Sequence, residues 1–148
     1  VEAQILQYPL VMSERLRNPA MLTPDDRARG VIWHGEMKPM KSGECIYCRF
    51  ISAEAGFRAF ALDLQRRATL SGMMTVNVAY RSYAPSTLSI HKELTARRCG
   101  VSLNGRIDPK KAEDGIPLIW SLAQHVMLGS MWNFEDAERG WRQAWRHH

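Results

Sequence analysis

Cys45 and Cys48 form a C-x-x-C, a spacing that can hold zinc or cycle between dithiol and disulfide. A structural zinc site needs a second ligand pair; His34, His91 and Cys99 have the right chemistry, but no two of them stand at pair spacing. A redox C-x-x-C sits at a helix start after a strand in a βαβ setting, which is not the pattern around these residues. Packed, unreactive thiols are the simpler expectation, with no metal and no cofactor. Glu36 and Glu44 stand near Trp33 and Tyr47, and a carboxyl held against aromatic rings has the raised pKa that a general acid for glycoside cleavage needs. No Asp at a recognisable spacing accompanies them, and exposed loop glutamates are common, so they are candidates for catalysis only if the chain is a hydrolase. There is no Ser-His-Asp elbow, P-loop, dinucleotide fingerprint or H-E-x-x-H. His125 falls in a helical apolar pattern and reads as a packed or edge histidine rather than a base.

The C-terminal run mixes Trp132, Phe134, Trp141 and Trp145 with Arg139, Arg142 and Arg146. Two expectations stand side by side. The indoles pack onto the domain, or Trp132, Phe134, Trp141, Arg142 and Trp145 anchor the chain in a neighbouring protein, because Trp and Arg dominate interface hot spots.

These residues need elements to carry them. At 148 residues, 45% apolar and 24% charged, the chain has the size and composition of one globular core. Twenty Lys and Arg against fifteen Asp and Glu give a formal charge of +5, which favours an anionic partner without saying which. Three cysteines cannot all pair, so reduced thiols and a cytosolic origin are expected. Val1 to Val11 lacks the build of a signal peptide, and no run approaches the roughly 18 to 20 apolar residues of a membrane span.

The first third is broken by Pro9, Pro19, Pro24, Gly30, Gly35, Pro39 and Gly43 and reads as arm and loops. Val31-Ile32-Trp33 and Ile46 to Phe50 are β-favouring runs that predict a small hairpin. Ser52 caps a helix with Phe57, Phe60, Ala61, Leu64 and Ala68 on one face, stopped by Gly72. Thr75 caps a short helix carrying Val76, Ala79 and Tyr80, closed by Ala84-Pro85. Thr87 starts another, with Ile90 and Leu94 on one face, ending at Cys99-Gly100. Asp108-Pro109 opens a short segment ended by Gly115, Pro117 opens a helix through Leu128, and Asn133 begins a last one. The expected organisation is an arm and loops over residues 1–30, a helical domain over 31–130 and a Trp/Arg-rich helix over 131–148.

The stretch Phe50 to Leu64, FISAEAGFRAFALDL, resembles the F-x-S-x-x-x-G-h-R-A helix of a family of small phage virion structural proteins. Gly72 to Val76, Tyr83-Ala84-Pro85, Arg98 to Val101 and Ile107-Asp108-Pro109 are similar to later elements of that family. Arg17-Asn18-Pro19-Ala20-Met21-Leu22 is similar to its R-N-N-N-P-G-N-I opening. The resemblance covers most of residues 17–129 in order. The family in turn resembles the lysozyme-like glucosaminidase and transglycosylase fold, whose catalytic Glu lies on a helix before the Asn-containing loop in a pattern like A-L-E-S-x-x-G. Here only Ser13-Glu14-Arg15-Leu16 precedes Asn18, and Met127-Leu128-Gly129 stands where relatives often have Glu before Gly.

The resemblance implies a mainly α fold: one lysozyme-like helical domain with a loop-rich N-terminal third and a small β-hairpin. It implies a virion component of a tail, baseplate or ejected assembly, put together in the host bacterial cytoplasm, that docks to other virion proteins or to further copies of itself and can contact peptidoglycan. The alternatives are a virion-associated peptidoglycan hydrolase using Glu36 or Glu44, and a basic nucleic-acid-binding protein. Nucleic acid is the less expected partner.

Overall fold

A computed structural model of the chain describes residues 11–26, 33–127 and 129–146. In chain order these form α1 (Met12–Arg15), a 3-10 turn (Pro24–Asp26), β1 (Glu36–Ser42), β2 (Cys45–Phe50), α2 (Ala53–Ser71), α3 (Val76–Tyr83), α4 (Ser89–Arg98), α5 (Ala112–Val126) and α6 (Phe134–Arg146). The fold is mainly helical with one small antiparallel hairpin, the class the sequence predicts. No described helix is long and apolar enough to cross a membrane.

The helix ends follow local chemistry. Ser52 Oγ accepts the Ala55 N–H at 3.1 Å, Thr75 Oγ1 accepts the Val78 N–H at 3.1 Å, and Gly72 closes α2 at φ 77°, a left-handed conformation that a Cβ disfavours. Between those ends, Phe57, Phe60, Ala61 and Leu64 are buried at helical spacing. Across from them, α6 turns Ala137, Gly140, Trp141 and Ala144 inward. A Cβ on Gly140 would lie 2.6 Å from Glu54 O and 2.6 Å from Phe57 Cβ, so α6 approaches the α2 backbone as closely as glycine allows. Residues from all three expected segments, among them Leu22, Phe60, Tyr80, Ile119 and Trp141, share one hydrophobic core.

Two expectations about local structure need correction. The hairpin's first strand is Glu36–Ser42, not the run ending at Trp33; Val31 and Ile32 lie outside the described residues. A two-residue turn, Gly43 at φ 61° followed by Glu44, fixes the partner of β2, and Pro39 falls where the pairing register shifts between Met37 and Met40. Pro is tolerated there because such an irregularity needs no ladder N–H. Gly115 does not end a segment: α5 runs through it and through Pro117. A Cβ on Gly115 would meet Trp141 Nε1 at 2.3 Å and Pro109 O at 2.4 Å, so this glycine makes room for the indole of α6 rather than a helix stop. In α4, Ile90 and Leu94 share one face as their spacing predicts; that face looks outward, while Thr95 and Ala96 are buried.

Candidate docking groove and polar clefts

Glu36 starts β1, opposite Phe50, and its Oε1 accepts the Trp33 N–H at 3.3 Å. Glu44 is exposed in the turn at the far end of the same hairpin. Six strand steps at about 3.3 Å each put them about 20 Å apart, whereas paired glycosidase carboxyls stand about 5 to 9.5 Å apart. The two cannot work on one bond together. Cys45 and Cys48 lie in β2 at an odd offset, so their side chains take opposite faces: Cys45 is exposed and Cys48 buried. Among the described residues no three His, Cys, Asp or Glu side chains converge as metal ligands.

The nominated C-terminal residues divide between interior and surface. Trp141 is buried and its indole N–H donates to Pro109 O at 2.8 Å. Trp145 stacks edge-on against it at 6.4 Å, with Lys110 Nζ 5.3 Å from the Trp145 ring centre. Trp132 stands edge-on to Phe57 at 5.5 Å. Phe134 and Arg142 point elsewhere: they line a groove of about 700 Å³ between α5 and α6. Its floor is Ile116, Pro117 and Trp120, and Arg98 from α4 closes one end.

The walls of the groove are fixed by one another and by residues outside it. The Trp120 indole N–H donates to Trp132 O at 2.8 Å, Phe134 meets the Trp120 ring edge-on at 5.5 Å, and Arg98 lies 4.9 Å over that ring while donating to Ser121 Oγ at 3.1 Å. Glu138 and Arg142 pair at 3.3 Å along the rim. An apolar floor with oriented aromatics and a charged rim is suited to receiving an apolar ridge. Sequence reasoning missed Trp120, although its i+4 neighbour Gln124 and the apolar positions around it placed it on the outer edge of the α5 stripe.

A second, polar cleft of about 420 Å³ includes Asp26, Tyr47, Arg67 and Tyr83 in its lining. Behind it Asp63, with a fully buried side chain, accepts from Arg66 Nη2 at 3.0 Å, from Arg67 Nε at 2.8 Å and from the Tyr83 hydroxyl. Arg67 also reaches Asp26 at 3.1 Å and covers the Tyr83 ring at 4.8 Å. Burial, then the charge of Asp63, pushes the Tyr83 phenol well above its ordinary range. Burial opposes the Arg67 charge, but Asp63 more than offsets it and raises that group. The charges of the cluster balance, two guanidinium groups against two carboxylates, while Arg66 Nε is buried without a hydrogen-bond partner. The sequence signal was an Asp within the apolar stripe of α2, one turn from Phe60.

Next to it, Thr95 donates to His91 O at 3.0 Å, which leaves Tyr80 to donate to Thr95 Oγ1 at 2.7 Å. His125 Nδ1 is then the protonated nitrogen, shared by Ser121 O at 2.9 Å and the Tyr80 oxygen at 3.0 Å. Burial lowers the His125 pKa, helped by the nearby His91 and Arg98 and opposed by the hydrogen bond to Ser121 O. His125 is half-buried, which fits the packed or edge histidine that the sequence predicts. No protein-family model matches the chain, and no curated protein matches it.

Proposed function

We propose that this chain is a structural component of a phage virion, built on a degenerate lysozyme-like fold and acting by docking to neighbouring virion proteins. The observation that carries the reading is the Trp120–Phe134 groove, which leaves aromatic surface open between two helices rather than filling it. The carboxylates fit the same reading. Glu36 and Glu44 lie at opposite ends of the hairpin, and Asp63 is neutralised by Arg66, Arg67 and Tyr83.

Asn18, Gly56, Tyr83 and Pro109, from the motifs behind the family resemblance, make tertiary contacts. Asn18 is fully buried and bonds Leu22 N, Leu22 O and Cys48 O at 2.8 to 2.9 Å. A Cβ on Gly56 would lie 2.1 Å from Arg17 O, so the Asn18 loop and the start of α2 fit only with glycine there. Tyr83 closes on Asp63, and Pro109 receives Trp141.

The test is mass-spectrometric detection of the chain in gradient-purified virions, together with a turbidity assay of the purified protein on bacterial cell walls. Presence in particles without wall clearing is expected. Clearing that is lost in Glu36→Gln or Glu44→Gln would overturn the reading in favour of a hydrolase.

A further inference from the structure

His91 on α4 and His125 on α5 both line a cleft of about 480 Å³, walled on its other side by residues 83–88. Their ring centres are 4.9 Å apart and their planes are tilted by 39°. The sequence sets His91 among candidate partners for the C-x-x-C, but in the fold its aromatic neighbour is His125.

The His125 ring is turned by what holds it. Nδ1 carries the proton and shares it between Ser121 O at 2.9 Å and the Tyr80 oxygen at 3.0 Å, so the lone pair lies on Nε2, at the other side of the ring. Neither Nε2 nor the His91 imidazole has a hydrogen-bond partner among the described residues. A histidine that gives its N–H to a backbone carbonyl and keeps its second nitrogen open has the arrangement found in metal-bound histidines.

We propose that His91 and His125 hold a divalent first-row transition ion between their ring nitrogens. With metal–nitrogen bonds of about 2.0 to 2.1 Å, an ion lies about 3.2 Å from each imidazole centre, so centres 4.9 Å apart subtend about 100° at it, near the tetrahedral angle. Imidazole selects zinc, nickel or copper over magnesium and calcium, which take oxygen ligands. No third His, Cys, Asp or Glu joins the pair among the described residues, so water fills the remaining positions and the ion exchanges. Such an ion ties α4 to α5, which Arg98 and Ser121 also bridge. The inference stands apart from the docking reading and does not need it.

The test is a calorimetric titration of Zn²⁺ into the full-length chain carrying Cys45→Ser, His147→Ala and His148→Ala, which removes the exposed thiol and the terminal imidazoles as competing ligands. A single site per chain is expected, with a dissociation constant in the micromolar range. Saturating Zn²⁺ should also raise Tm, because the ion binds the folded pair and not the separated histidines of the unfolded chain. Adding His91→Ala should lower the affinity by about tenfold or more and abolish the gain in Tm. Helical content should not change, since His91 is exposed. Mg²⁺ in place of Zn²⁺ should leave Tm where it is.

A chain that takes up no Zn²⁺ overturns the proposal and leaves the two rings as a stacked pair. Uptake and a Tm gain that survive His91→Ala overturn it as well, and so does an equal gain with Mg²⁺, which would be an effect of charge rather than of imidazole ligands.

Discussion

Single residues here are governed by which side of a surface they fall on. The C-x-x-C is legible as a motif, but only the strand decides that Cys45 meets solvent and Cys48 does not. Burial, with Asp114 nearby, pushes the Cys99 thiol up to about 12, and its Sγ points to Asp114 O at 3.6 Å. Native protein treated with a maleimide should therefore take one label, at Cys45, and three after denaturation; fast labelling of Cys99 would contradict the packing. Met21 holds φ 49°, where a bulky L-residue is strained by about 1 to 2 kcal/mol. Asn tolerates that region. Met21→Asn should raise stability by about 0.5 to 1 kcal/mol, read from the urea midpoint. Asp63 acts in the opposite direction. Its replacement by Asn leaves Arg66 without its buried counter-charge and Arg67 with Asp26 alone, though both are partly solvated at 39% and 31% exposure, so the loss should be about 2 kcal/mol.

Elements were legible where caps and punctuation act locally and illegible where another element overrides them. Ser52, Gly72 and Thr75 mark helix ends by bonds or dihedrals within a few residues, and each works as its type predicts. Gly115 and Gly140 are different, because what requires them is a neighbour distant in the chain, Trp141 and the α2 backbone respectively. Gly140→Ala should force α6 off α2 and cost about 3 kcal/mol, measured as a fall in the denaturant midpoint. The apolar periodicity of α4 could not reveal which way its face turns, since Tyr80, Thr95 and His125 make a polar clasp on the inner side. That clasp sets a pH dependence. The His125 pKa is lower folded than unfolded, so the unfolded chain binds the proton more readily, and stability is fully present above the ordinary histidine value of about 6.5. It falls as pH drops from there toward the folded pKa. His125→Asn, which keeps a donor near Ser121 O, should flatten the wild-type decline in Tm across that window.

At the scale of the whole molecule, the composition predicts one core, and the core that forms takes in the C-terminal helix. Sequence patterning set residues 131–148 apart because tryptophans and arginines cluster there, yet the two kinds of residue part company in space. Ala137, Gly140, Trp141 and Ala144 are buried against α2 and α5, while Phe134 and Arg142 face the groove. Periodicity on α6 carries that division, since the buried set repeats every three or four residues, but the number of aromatics obscures it. The site was thus half legible: the C-terminal residues that reach the surface were named, and Trp120 and Arg98, which come from other elements, were not. Folding and docking on α6 should separate experimentally. A chain ending at Asn133 loses the whole packed side of α6, including the Trp141 bond to Pro109, and should show no cooperative thermal transition. Phe134→Ala with Arg142→Ala in the full-length chain keeps that side and should melt within a few degrees of wild type, because both residues are on the exposed face. A truncated chain that still unfolds cooperatively would mean that α6 is an appended docking element, and the groove would then be a feature of a movable helix rather than of the core.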